Sequence, residues 1–299
     1  MISQLNEIFN QVQNRSYYRY LLIDGLASVS EFSSISLPAL RNHFPEHAII
    51  PIKRSDLSHD LAHCPHLICL AEPEASVDPH YIYRSAKEAL SEYQLPRRYI
   101  VGWLMSKYPP EEITKLIEQV GGEISARQGG LFTPFYEPFR LSLLNVDNTF
   151  STFWLSAMLS GISHFFYINV EGQLANAIVG ESLVDKTFVY LPESALFYQR
   201  EAKALFYLYD SYQTLQTDDN TPLAKNALAL LCQYYQQAVN LGINHLADRY
   251  VFAFYAMRYG DLGNYAKAMD AVNRALHNSG TLGDNLMNIE DEDWRKNDR

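Results

Sequence analysis

The chain has 299 residues, enough for two modest domains or one large one, so a buried core needs no disulfide support. Its 34 Asp and Glu outweigh 24 Lys and Arg, a net charge of -10, and no basic cluster stands out. That balance argues against a nucleic-acid backbone or an anionic membrane as the main partner.

Three cysteines, Cys64, Cys69 and Cys232, fit a reducing compartment better than a disulfide framework. The opening residues carry polar side chains throughout and lack a basic n-region and an apolar h-region, so no signal peptide is expected there. The 21 Tyr and 15 Phe suit surfaces that are alternately wet and covered, and equally suit ordinary Tyr-rich packing.

Leu5, Ile8, Phe9 and Val12 recur at helical spacing and predict an amphipathic helix over 2–14. Tyr20-Leu21-Leu22-Ile23 is an apolar strand closed by the turn pair Asp24-Gly25. A strand's C-terminal end is where α/β enzymes place catalytic acids, but a turn or capping role suits Asp24 better, since no partner residue stands near it in sequence. Ser36-Leu37-Pro38 opens a short helix through Phe44, and 48–52 returns as a strand.

Asp56, His59, Asp60, His63, Cys64 and His66 then form the one constellation with metal-like spacing. His59 and His63 are four apart and would share a helical face, a spacing used by zinc sites. The glutamate of a His-Glu-x-x-His motif is missing and Pro65 interrupts, so a solvated polar helix face is preferred and no metal is assigned.

His66 to Leu70 is the next apolar strand, followed by an acidic loop, a helix to about Tyr93 and a strand over Tyr99 to Leu104. Pro109-Pro110-Glu111-Glu112 starts a helix that Gly121-Gly122 should end. Strands alternating with helices imply a mixed or mostly parallel sheet covered by helices. No Gly-x-Gly-x-x-Gly or Walker loop follows any strand, so neither a nucleotide nor any other cofactor is expected.

Leu131 to Leu144 reads as a strand, a turn and a helix start: Glu137 at the helix N-terminus, Pro138 at the first helical position, then Leu141, Leu143 and Leu144 as an apolar stripe. Between Asp147 and Glu171 the only titratable side chains are His164 and Tyr167. The many Ser, Thr and Asn residues there and the Gly161 break favour a buried helix, capped by Asn148 or Thr149, followed by a buried strand, over a membrane span. A poorly periodic stretch runs to Leu191. Helical segments over 193–215, 222–241, 245–259 and 264–278 follow. This gives an α/β lobe over 1–188, an all-α lobe over 189–281 and a charged, loosely held tail over 282–299 with Trp294 as a docking point.

Leu262-Gly263-Asn264-Tyr265-Ala266-Lys267-Ala268-Met269 with Ala275-Leu276 looks like half of a tetratricopeptide repeat. No second copy appears at a 34-residue period, so a single helical hairpin is the reading.

Four blocks carry a wider resemblance: Tyr18-Arg19-Tyr20-Leu21-Leu22-Ile23-Asp24-Gly25, then Cys64-Pro65-His66-Leu67-Ile68-Cys69-Leu70, then Gly102-Trp103-Leu104-Met105-Ser106, then Phe135-Tyr136-Glu137-Pro138-Phe139-Arg140-Leu141. In order and spacing they resemble the adaptor-chaperone family of bacterial type VI secretion systems, whose blocks run approximately Tyr-x-Leu-Leu-Asp-Gly, Gly-Pro-x-Leu-Val-x-Leu and Phe-Arg-x-Tyr-Asp-Pro-Arg. Glu137 stands in place of the family's aspartate, Phe139 in place of the arginine after proline, with Arg140 one position later, and the upstream arginine is replaced by Pro134 or Phe135.

The resemblance implies an α/β lobe plus a helical lobe, a cytoplasmic location, no catalysis, and binding of a toxin effector for loading on a VgrG-type spike protein. It implies structural roles for Asp24, Gly25, Pro65, Tyr136, Glu137, Pro138 and Arg140. Two other readings compete: a small metal-dependent or hydrolase-like α/β enzyme using Asp24, His59 and His63, and a helical scaffold resting on the hairpin alone. Against the enzyme, there is no Gly-x-Ser-x-Gly elbow and no short stretch joins a nucleophile to a base.

Overall fold

The computed structural model describes residues 2–146, 153–179, 192–218, 223–224, 226–277 and 280–294. They fall into two compact units, Met1–Arg200 and Glu201–Arg299. In the first unit the strands are Tyr18–Ile23 (β1), Ile49–Pro51 (β2), His66–Ala71 (β3), Ile100–Ser106 (β4), His164–Ile168 (β5) and Leu174–Val179 (β6). The helices are Ile2–Asn10 (α1), Leu37–His43 (α2), Pro79–Ser91 (α3), Pro110–Ala126 (α4), Pro138–Val146 (α5), Phe153–Met158 (α6) and Glu193–Arg200 (α7).

The strands form one sheet in the order β2-β3-β1-β4-β5-β6, and every pairing is antiparallel. The mixed or mostly parallel sheet expected from the alternating pattern is therefore corrected to an antiparallel one. The β3-α3-β4 unit is a crossover between two strands that do run the same way, but β1 lies between them in the opposite direction and pairs with both. Alternating helices and strands signal a crossover; they do not exclude an earlier strand slotted into the gap.

The apolar runs have a separate cause. Leu5, Leu40, Ile82 and Trp103 belong to a core on one face of the sheet, and Tyr20, Leu104, Ile117 and Leu141 to a core on the other. Helices α1 to α3 supply the first cover and α4 to α7 the second, so β1, β3 and β4 are apolar on both faces, a pattern met mostly in parallel sheets.

Several boundaries differ from expectation. The first helix stops at Asn10 and a 3-10 turn covers Val12–Asn14. Leu131 to Tyr136 is not a strand; its aromatic residues instead fill the core beneath α4 and α5. The stretch read as poorly periodic contains β6, and the expected caps Asn148 and Thr149 lie outside the described residues. Among the described residues no helix is long and apolar enough to cross a membrane.

Helix α4 runs through Gly121-Gly122 to Ala126 rather than ending there. Gly121 is small because Phe132 is pressed against it: a Cβ at this position would lie 2.3 Å from Phe132 Cζ. Gly122 has nothing within 4 Å of the equivalent point.

The boundary expected near residue 188 compares with a first unit that extends to Arg200, because α7 is tied to α5: Arg140 Nη1 donates to the Gln199 carbonyl at 2.7 Å and Gln199 Nε2 returns a bond to the Arg140 carbonyl at 3.0 Å. The second unit holds Ala202–Asp218 (α8), Ala227–Asn240 (α9), Leu246–Tyr259 (α10), Ala266–Leu276 (α11) and Leu282–Met287 (α12). Ala256, Ala268 and Ala271 keep its helices close around Phe252 and Leu262. The beginning of the expected loose tail is helical, capped by Thr281, and Trp294 stacks on Tyr259 with ring centroids 4.1 Å apart. Apolar and aromatic burial holds a segment that its charge alone would leave in water.

The two glycines give opposite predictions. Gly122→Ala should stabilise the chain by about 0.5–1 kcal/mol through helix propensity. At Gly121 the same change should destabilise by about 1–2 kcal/mol net, since overpacking against a ring costs more than propensity returns. Thermal melts of the two variants check this, with about 2–4 °C per kcal/mol expected for a unit of this size.

Candidate functional site: a buried polar cluster at one end of the sheet

Ile23 faces both His66 and Ile100, Pro51 faces His66, and Ile168 faces Leu174. The end of β1 therefore shares one edge of the sheet with the end of β2, the starts of β3 and β4, and the β5–β6 turn. Asp24 sits at the centre of that edge. Its backbone N–H donates to the Tyr99 carbonyl at 2.8 Å, and its Oδ1 accepts from the Leu26 amide at 3.0 Å, fixing a turn of the kind Asp favours. The side chain is fully buried, and Oδ2 has no hydrogen-bond partner among the described residues.

Gly25 lets this turn pack on the 62–64 backbone, since a Cβ would lie 2.6 Å from the Cys64 carbonyl and 2.7 Å from that of Ala62. Pro65 follows directly, and its carbonyl accepts from the Ile52 amide at 2.8 Å, which continues the β2–β3 pairing.

The corner at 131–138 closes over the same end. Ser55 Oγ donates to the Leu131 carbonyl at 2.7 Å, and buried Arg54 donates through Nη1 to Tyr136 Oη at 3.0 Å. The rest of the Arg54 fork holds Asp56, at 3.1 Å from Nε and 2.7 Å from Nη2, while its guanidinium lies over the Phe132 ring at 5.1 Å. Glu137 precedes α5, whose first residue Pro138 needs no N–H partner, and Arg140 Nε donates to Glu137 Oε2 at 3.0 Å. That pair joins residues three apart on one helical turn.

Burial raises the Asp24 carboxyl above its ordinary range, against the pull of the Leu26 amide, Arg54 and Arg97. Glu137 is likewise raised, by burial first and by the Asp24 charge, with Arg140 and Arg97 opposing. The Tyr136 phenol is pushed well up by burial and by Asp24. Burial disfavours the charged form of a carboxyl, and Asp24 has one oxygen without a partner among the described residues to offset that cost.

A third carboxyl lies at this end. Glu92, at the end of α3, accepts from the Tyr99 amide at 2.8 Å and the Ile100 amide at 2.6 Å, and burial pushes it up to about 7.

Asp24, Gly25, Tyr136 and Glu137 are thus brought together, with Pro65, Pro138 and Arg140 adjoining. His59 and His63 are placed differently. Residues 58–59 and 61–62 turn rather than form a helix, with Asp60 Oδ1 taking the Ala62 amide at 3.0 Å between them, so the expected shared helical face is absent. His59 is exposed, and His63 Nδ1 contacts Asp60 Oδ2 at 2.7 Å in solvent, whereas the Asp24 carboxyl is buried. His66 is buried beside Arg41, and Cys64 is buried with its thiol facing the Leu57 carbonyl. Among the described residues no group of three or more His, Cys, Asp or Glu side chains is placed to hold a metal.

Arg54 and Glu92 were not singled out by the sequence. Arg54 meets Tyr136 across 82 positions, and no local pattern marks such a pair; Glu92 stands seven residues before the amide it accepts from. No family model, curated protein or solved structure matches this chain.

Tyr136→Phe should leave a buried Arg54 N–H unpaired and lower stability by about 1–3 kcal/mol, read by denaturant titration. The Glu92 carboxyl, raised in the folded chain from an ordinary 4.5 to about 7, holds its proton where the unfolded chain has released one. Its stabilising contribution is therefore full below the ordinary value and declines as pH rises towards the folded one. Melts from the ordinary to the raised pKa should show Glu92→Gln gaining on the parent as pH rises.

Proposed function

We propose that this chain is a non-enzymatic adaptor that binds a secreted toxin effector and delivers it to the VgrG-type spike of a type VI secretion system, working in the cytoplasm. The observation that carries the reading is the meeting of widely separated blocks at one sheet end: the Asp24-Gly25 turn packs on the segment before Pro65, and Tyr136 joins the same cluster through Arg54. The substituted positions of the last block remain coupled, with Glu137 and Arg140 forming an ion pair and Arg140 also holding α7. Groups engaged in this way build architecture rather than a reaction centre.

Around this rigid end the connecting loops expose apolar side chains. Leu61 is 44% exposed, Leu95 52% and Leu131 70%, one on each of three connections. Exposed leucines on a fixed framework suit an apolar segment of a cargo protein.

Co-expression with type VI toxin effectors and a VgrG-type spike protein, followed by pull-down, tests the proposal; failure to retain either partner would sink it. Two variants separate framework from surface. Glu137→Ala should lower the melting temperature and effector retention together, while Leu61→Asp with Leu131→Asp should lower retention and leave the melt within about 0.5 kcal/mol of the parent.

A further inference from the structure

The connections that carry Leu61, Leu95 and Leu131 also carry the exposed cations Lys53, Arg97 and Arg127. The side chains of these three make no hydrogen bond or ion pair among the described residues. Every carboxylate on the same connections is engaged: Asp56 by Arg54, Asp60 by the Ala62 amide and His63, Glu92 by the Tyr99 and Ile100 amides, and Glu137 by Arg140. On the adjoining half of α4, Glu118 accepts from the Lys53 amide at 2.7 Å and Glu123 from Gln119 Nε2 at 2.8 Å. A chain of net charge -10 thus leaves positive charge unpaired at this end of its sheet.

The cations and leucines surround one point. Arg97 acts on the carboxyls of Asp24, Asp56 and Glu137, which stand on three different connections, so its charge lies over the middle of the sheet end. The Leu131 carbonyl is bonded to Ser55, beside Asp56. Leu61 precedes Ala62, whose carbonyl faces Gly25, and Leu95 stands two positions before Arg97. Arg127 and Leu131 flank the turn closed by the Gly130 amide on the Ser125 carbonyl at 3.1 Å.

Exposed cations attract anionic groups over roughly a Debye length, about 10 Å at 0.1 M salt. The leucines between them add nothing to a nucleic-acid backbone, and the net charge of the chain repels an anionic membrane. A polypeptide that carries both carboxylates and apolar side chains complements both features. We propose that this sheet end takes an acidic, apolar segment of the effector, its carboxylates meeting Lys53, Arg97 and Arg127 and its apolar side chains lying on Leu61, Leu95 and Leu131. The proposal supplies the partner chemistry of the adaptor reading and rests on it.

The probe is a blocked peptide of about a dozen residues, leucines at helical spacing separated by glutamates, titrated into the full isotope-labelled chain. Saturable shifts of the Leu61, Leu95, Arg97 and Leu131 amides are expected, with binding weakening as salt rises from about 0.05 to about 0.5 M. Arg97→Glu with Arg127→Glu should weaken the peptide about tenfold. Because Arg97 adjoins Asp24 and Glu137, Arg97→Gln with Arg127→Gln is the second pair, adding no repulsion there, and should weaken it about threefold. Thermal melts establish that both variants are folded.

Equal binding of a version with lysine for glutamate would overturn the charge match, and equal binding of one with serine for leucine would overturn the apolar part. Retention on phosphatidylserine vesicles without peptide binding would assign the surface to a membrane instead. Absence of shifts at these amides at about 1 mM peptide would overturn the site. The two readings fail separately: effector retained equally by the parent and the charge-reversed chain overturns this surface and leaves the adaptor standing, whereas peptide bound at these residues with no effector retained does the reverse.

Discussion

A strand hydrogen-bonded on both edges and covered on both faces can accommodate charge only near its ends, and β1 is such a strand. Leu21 and Leu22 at its middle are fully buried, one towards each core. Arg19 near its start is buried as well, and its guanidinium donates to the carbonyls of Asn14 and Arg15 at 3.1 Å and of Glu72 at 2.9 Å. No carboxylate takes part in those bonds; backbone oxygens from two loops perform the solvation that water would supply. At the other end Asp24 is less fully satisfied, with one oxygen bonded to Leu26 and the other orphaned. Arg54, Tyr136 and Glu137 gather around a carboxyl that the central strand has forced out of water.

This explains why the sheet end looks like a site and yet holds groups already engaged. Arg54 is engaged by Asp56 and Tyr136, and Arg140 by Glu137 and the Gln199 carbonyl. Arg54, Tyr136, Glu137 and Arg140 bond other groups of the chain, Asp24 Oδ2 has no partner among the described residues, and the surrounding connections present leucines to solvent.

Much of the architecture was legible in the chain. Ser36 caps α2 and accepts from the Ala39 amide, Pro110 opens α4, and the apolar runs of β1, β3 and β4 mark strands because burial on both faces leaves no room for polar alternation. Strand direction was not legible, since the same runs and helices are consistent with a parallel sheet until β1 is known to lie between β3 and β4. Gly121 misled because a glycine near a helix end reads as a stop, whereas this one makes room for Phe132. At the site, Asp24 and Tyr136 stood out from their sequence blocks, but Arg54 did not, because its partner is distant in sequence and near only after folding. His59 and His63 looked like a pair through spacing alone, and the turn held by Asp60 removes the helix that the spacing assumed.

The position of β1 also constrains the order in which the molecule can be made. It leaves the ribosome before β4, and Leu21 pairs with Trp103, roughly 80 residues later, so one edge of the central strand waits for its neighbour while α2, β2, β3 and α3 are synthesised. During that interval an apolar strand has unpaired N–H and C=O groups along one side, a template for any other extended chain. Completion of β4 closes the edge and brings the start of that strand against the Asp24 turn in the same event. The open side of β1 is thus closed in one non-local step, the outer side of β4 then waits for β5, and the exposure of each side is set by the distance along the chain between two strands that end as neighbours.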